Sequence, residues 1–161
     1  GRLSQAGEKL MHSTRLAELG ITLPDVAAPV AAYVPALQVG NQVWTSGQLP
    51  FVDGVLPATG KVGAEISPED AATYARQAVL NALAAVDALV GIDAVTRVLK
   101  IVGFVASAEG FTGQPAVVNG ASHLVGEIFG DVGAHVRSAV GVAELPLSSP
   151  VEVELVVEIA H

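Results

Sequence analysis

The sequence predicts an α+β fold in which two helices lie against one mixed β-sheet. Three observations carry this. Residues 67–91, SPEDAATYARQAVLNALAAVDALVG, repeat apolar side chains at the spacing of one helix face. Residues 151–159, VEVELVVEI, alternate apolar with mostly acidic side chains, the period of a strand buried on one side. The other apolar runs fall around these in the order β-β-α-β-α-β-β, a two-layer sandwich. The 161 residues suit one domain with one substantial core.

Residues 1–20 read as an N-terminal extension, the ten before Met11 having no structure of their own. Within it STRLAEL, residues 13–19, is predicted as a short helix capped by Ser13 and stopped by Gly20. The single domain then spans 21–161. Pro24 and Pro29, with Pro35 beyond, mark residues 21–32 as a connecting arm. In YVPALQVGNQVWTSGQLP, strands at about 34–39 and 42–47 meet at Gly40-Asn41, a two-residue hairpin turn. Residues 50–66, rich in Gly and Pro, predict loop with room for one small strand.

The long helix has Ser67 as cap, Pro68 at its first position, Asp70 at the capping-box position and Gly91 as its stop. Ala75, Val79, Ala82, Leu83, Val86 and Val90 form its apolar face. VTRVLKIVGFVAS, about 95–107, predicts a strand, and QPAVVNGASHLVGEIFG, about 115–129, a second helix. The chain closes in what reads as an apolar hairpin, 136–144 paired with 151–160.

Hydrophobic residues make up 51% and charged ones only 15%, which excludes disorder and predicts that some apolar surface is hidden between copies. The net charge of −8 opposes binding to nucleic acid or to an anionic membrane. The absence of cysteine excludes disulfides, thiolate nucleophiles and thiolate metal sites. Histidines at 12, 123, 135 and 161 have no metal-ligand spacing, and His123 and His135 read as incidental. Neither metal nor organic cofactor is expected, and no nucleophile-elbow, P-loop or dinucleotide motif occurs. No apolar run reaches transmembrane length and no secretory leader pattern opens the chain, so a cytoplasmic location is expected.

The polar residues of the closing segments are the unusual ones. Val151, Val153, Leu155, Val157 and Ile159 should face the helices, and Glu152, Glu154, Val156 and Glu158 the other side. Hairpin pairing would put Arg137 beside Ile159 and Glu152 near the turn, too far apart for one site within a chain. They could meet across a subunit boundary. Tyr33, Ser46 and Gly47 fall at strand ends. Asn119 is a poor helix former inside a helix, which points to a packing or hydrogen-bonding role, or, with Gly120 beside it, to a local distortion.

Four pieces, YVPALQVGNQVWTSGQLP, ARQAVLNALAAV, VGFVAS, and VRSAVGVAELP with VEVELVVEIA, resemble the reactive intermediate deaminase family. This family is also called RidA or YjgF and has been labelled endoribonuclease L-PSP. The RS-x-V-x-V-A-x-LP pattern from Arg137 to Pro146 is the most specific part, and the resemblance spans residues 33–160. It implies a chorismate-mutase-like fold and a homotrimer with three clefts between subunits. It also implies hydrolysis of 2-imino acids, or their enamine tautomers, to 2-keto acids and ammonia. Arg137 would hold the carboxylate of a small metabolite, with Gly47 and Asn119 also binding substrate. Glu152 would orient water, with Tyr33 and Ser46 completing the catalytic set.

The chain departs from the family pattern around the cleft. Ala139 stands where a cysteine is frequent, and Gly141 replaces an acidic residue. TGQP is inserted before the second helix, FGDVGAH differs after it, and the N-terminal arm is longer. These mark a divergent branch whose substrate can differ. A non-catalytic trimer binding a small carboxylate or a partner protein is the competing expectation, and the acidic charge disfavours RNA cleavage.

Overall fold

The computed structural model describes residues 11–26 and 32–161; residues 1–10 and 27–31, with the extension and part of the arm expected there, lie outside the described residues. The elements are α1 (His12–Glu18), β1 (Ala36–Val39), β2 (Gln42–Thr45), α2 (Pro68–Val90), β3 (Val95–Ala106), α3 (Gln114–Phe129), β4 (Val136–Val142) and β5 (Val151–Ile159). The strands form one mixed sheet in the order β1-β2-β5-β3-β4. The α+β expectation holds, with α1 as a third helix beside the two that cover the sheet.

Local chemistry sets most boundaries. The β1–β2 turn falls at Gly40-Asn41, where Val39 pairs with Gln42 and Gly40 has a φ of 59°. The Ser67 hydroxyl accepts the Asp70 N–H at 3.1 Å, and Pro68 opens α2. Ser13 is not a helix cap. Met11 holds that position, and Ser13 donates its N–H (2.9 Å) and hydroxyl (2.6 Å) to the Asp93 carboxylate. Desolvation pushes the Asp93 carboxyl up, but the two Ser13 bonds together with the neighbouring His12 outweigh it and hold it below its ordinary value. Leu16 is buried in the core, so α1 is clamped to the turn before β3 and to α3.

The closing hairpin does not form. β3 lies between β4 and β5: it pairs in parallel with β4, from Lys100↔Val136 to Ala106↔Val142, and antiparallel with β5, from Val95↔Ile159 to Val105↔Val151. The reason is the crossover. α3 returns the chain from the end of β3 to its start, so β4 enters in the same direction. The 143–150 segment then bends through Pro146–Ser148, with Leu147 and Ser148 at φ 58° and 59°, to carry β5 to the far side of β3.

One face of the sheet, with Val43, Val98, Ile101, Val105, Val151, Val153, Leu155, Val157 and Ile159, is buried beneath α2 and α3. Each large aliphatic side chain so buried contributes about 1.5–3 kcal/mol. α2 presents Ala71, Ala75, Ala78, Val79, Ala82, Leu83 and Val86, and its alanines let α3 come close. The closest approach is at Gly120, where an added Cβ would lie 2.7 Å from the Ala72 carbonyl carbon and nearer still to its oxygen. Gly120 therefore serves helix packing; it does not mark a break, since α3 runs unbroken through it. No helix covers the other sheet face, where Leu37, Val39, Trp44, Val136 and Val140 are each 43–67% exposed.

Candidate active site

Arg137 pairs with Ile101, which is fully buried, so its side chain leaves the sheet on the helix face. β4 is an edge strand, and the half-buried guanidinium lies along α3. Nη1 donates to the Asn119 side-chain oxygen at 2.9 Å and to the Ser122 hydroxyl at 3.1 Å, and Nη2 donates to the Pro115 carbonyl at 3.1 Å. All three acceptors are neutral. The ion pairs among the described residues, Arg15–Glu18 at 3.3 Å and Lys61–Glu144 at 3.1 Å, leave Arg137 out. A guanidinium has five N–H donors. α3 takes three, leaving two for the two oxygens of a carboxylate.

Glu152 pairs with Phe104, three residues along β3 from Ile101, so it projects from the opposite face. Desolvation, and after it the neighbouring Glu154, raise its carboxyl above the ordinary value. Its side chain crosses Gly47, where an added Cβ would lie 2.7 Å from the carboxyl carbon. This contact comes from a bulge. Trp44 pairs with Val156 and Gln48 with Val153, four residues against three. The Thr45 hydroxyl accepts the Leu155 N–H that the bulge releases, at 3.1 Å.

Ser46 donates its hydroxyl to the Val34 carbonyl at 2.6 Å and its N–H to the Pro35 carbonyl at 2.8 Å, fixing the turn that carries the half-exposed Tyr33. The residues singled out in the sequence thus form two groups: Arg137 with Asn119 at the sheet edge, and Gly47 with Glu152 on the open face. Ser46 directly precedes Gly47, and Tyr33 stands on the turn that Ser46 fixes. Within one chain the groups stand on opposite faces of the sheet and do not meet.

Three details escaped the sequence. Ser122 and His135 both belong to the hydrogen-bonded surroundings of Arg137, so His135 is not incidental. Asn119 and Ser122 share a helix face at i,i+3, and His135 precedes Arg137 by one strand period; those spacings were the available signal. Asn81, buried in α2, donates to the carbonyls of Leu49 (2.9 Å) and Phe51 (3.0 Å), holding the loop that follows Gly47. Third, the inserted TGQP supplies Gln114, whose amide nitrogen would lie 2.7 Å from a Cβ at Gly141. A groove of about 850 Å³ between residues 22–26, 51–54 and α2 includes none of the candidate residues.

The family described as "YjgF/chorismate_mutase-like, putative endoribonuclease" matches residues 13–159. Protein TCP17 of Trypanosoma cruzi is 42% identical over 149 residues, covering 91% of this chain and 93% of that protein. The 2-iminobutanoate/2-iminopropanoate deaminase of Escherichia coli is 33% identical over 138 residues, covering 84% and 94%. Among solved structures, the Agrobacterium tumefaciens protein Atu1372, of unknown function, superposes with a TM-score of 0.86 at 40% identity, covering 99% of each chain. The YjgF gene product of E. coli superposes at 0.64 with 29% identity, covering 83% of this chain and 93% of that one. With the family model matched over residues 13–159 and the fold in agreement, the chain belongs to the YjgF, or RidA, family.

Proposed function

We propose that this protein hydrolyses reactive 2-imino acids, or their enamine tautomers, to 2-keto acids and ammonia, in clefts between the subunits of a homotrimer. One observation carries the proposal: the half-buried Arg137 is oriented by three neutral acceptors of α3, has no carboxylate partner among the described residues, and keeps two donors. A small carboxylate satisfies both.

The cleft pairs Arg137 and Asn119 of one copy with Gly47 and Glu152 of the next. The uncovered apolar sheet face supports such an assembly, because exposed apolar surface of this kind marks a contact between chains. Bound by its carboxylate, the substrate presents the imine carbon to a water held by Glu152. The water oxygen bonds to that carbon as the C=N π pair moves to nitrogen. Glu152 takes a proton from the water and returns it to nitrogen. Glu152 next carries the hydroxyl proton of the tetrahedral intermediate to the amino nitrogen; the C–N bond then breaks as the C=O bond forms, releasing ammonia and the keto acid. A carboxyl raised toward neutral pH suits both steps. The Gly47 N–H can polarise the substrate. Ser46 fixes the Tyr33 turn beside the cleft. RNA cleavage, named in the family description, is disfavoured by the net charge of −8.

The test is keto-acid release from imino acids generated in place by an amino-acid oxidase, with side chains of several sizes and semicarbazide trapping as the competing reaction. Acceleration over the spontaneous rate is expected for wild type and not for Arg137→Ala. No acceleration from a folded trimer, for any side chain, would move the assignment to a carboxylate-binding or scaffolding role. A monomer by light scattering would overturn the cleft itself.

A further inference from the structure

Behind Arg137 a chain of hydrogen bonds continues away from the free donors. The Ser122 hydroxyl that accepts from Nη1 also lies 2.9 Å from His135 Nε2, and His135 Nδ1 lies 2.7 Å from the Gly133 carbonyl. A carbonyl only accepts, so Nδ1 carries the ring proton. In the neutral ring Nε2 is then an acceptor and takes the Ser122 hydroxyl proton. This leaves a lone pair of that oxygen facing the guanidinium. With the ring neutral, every polarity in the run from the Gly133 carbonyl to Arg137 follows.

We propose that Ser122 and His135 are positioning residues for Arg137. His135 locks the Ser122 hydroxyl as an acceptor toward Nη1, and Ser122 with Asn119 holds both Nη1 protons, so that the two remaining donors face the carboxylate of the ligand. The function rests on the reading of Arg137 given above; the positioning does not, because it can be observed without ligand. A serine rotor without the imidazole can turn its own proton toward the guanidinium, losing the acceptor. A side chain without the hydroxyl leaves one Nη1 proton to solvent and frees the guanidinium to rotate. Either change degrades recognition of an anion and leaves recognition of a neutral analogue alone.

Two measurements test this on Ser122→Ala, Ser122→Thr, His135→Ala and the Ser122→Ala/His135→Ala double variant. The first is the Arg137 side-chain N–H spectrum of isotope-labelled protein without ligand. Resolved, slowly exchanging Nη1 protons are expected in wild type and Ser122→Thr, and averaged ones in the other variants. The second is calorimetric binding of 2-oxobutanoate against its neutral amide. Ser122→Ala is expected to weaken the anion about tenfold, the amide hardly at all, and Thr to restore the anion. His135→Ala should add nothing once Ser122 is gone, because the imidazole acts through the hydroxyl. Equal Arg137 spectra and equal anion affinity in wild type and Ser122→Ala would overturn the positioning role. If the spectra change as expected but wild type binds no keto acid, the positioning stands and the functional reading of Arg137 fails.

Discussion

Gly47→Ala separates the chemistry of the site from the stability of the fold. A Cβ at this position would sit 2.7 Å from the Glu152 carboxyl carbon. Carbon atoms pack at about 3.5–4.0 Å, so the carboxylate must retreat by roughly 1 Å. It is the far end of a flexible side chain on a half-exposed face, and rotation there costs the fold little. Backbone conformation is not the obstacle, since Gly47 is not among the positive-φ glycines. A displacement of about 1 Å in a catalytic group lowers turnover about a hundredfold. The expected phenotype is kcat/KM down about a hundredfold with Tm within a few degrees of wild type. Carboxylate binding by Arg137, on another element, should persist. The assays are imine hydrolysis, calorimetric binding of 2-oxobutanoate, and thermal unfolding. Full activity in Gly47→Ala would refute the assignment of Glu152 as the water-positioning group. A collapse of stability would refute the packing argument.

Three further outcomes follow from other parts of the molecule. Glu152→Gln should cost roughly 10²–10⁴ in rate. Because burial and Glu154 raise the Glu152 carboxyl, ionising it weighs against the folded state at neutral pH; the variant should therefore melt higher than wild type at pH 7, an advantage that disappears below the ordinary value of 4.5, as a pH series of Tm would read. Gly120→Ala drives a methyl into the Ala72 backbone, which cannot move as a side chain can, and should destabilise by about 1–3 kcal/mol in a denaturant titration. The Asp93–Ser13 clamp has the opposite pH dependence: its lowered carboxyl supports the fold above the ordinary value of 3.8 and loses that support as pH falls, so the hydrogen-exchange protection factors of α1 should fall on acidification and be low at all pH values in Ser13→Ala.

The helices, strand boundaries and buried faces were legible because each depends on neighbours in sequence. Ser67, Pro68 and Gly91 bound α2, and the alternation of β5 names its buried side. Strand partners are not local. Two apolar strands joined by a short segment look the same whether they pair with each other or flank a third, and only the return path through α3 places β3 between β4 and β5. The same error displaced Arg137, which the hairpin would have set beside Ile159 and which instead lies opposite Ile101. Asn119 announced itself as a polar residue inside a helix. Ser122 and His135 did not, because neither residue type is unusual where it stands; their meaning lies in distances of 2.9–3.1 Å that only the packing of α3 on β4 creates.

The proposed cleft takes Arg137 from one copy and Glu152 from another, and subunit mixing tests that pairing. Arg137→Ala and Glu152→Gln are each expected to be inactive alone. Unfolded together in equal amounts and refolded into mixed trimers, they should place an intact Arg137 beside an intact Glu152 in about a quarter of the clefts, since each partner is intact with even odds. Recovery of about a quarter of the wild-type rate is the expected result. No recovery from mixed trimers of confirmed composition would mean that both groups act within one chain, and the account of the site would be wrong.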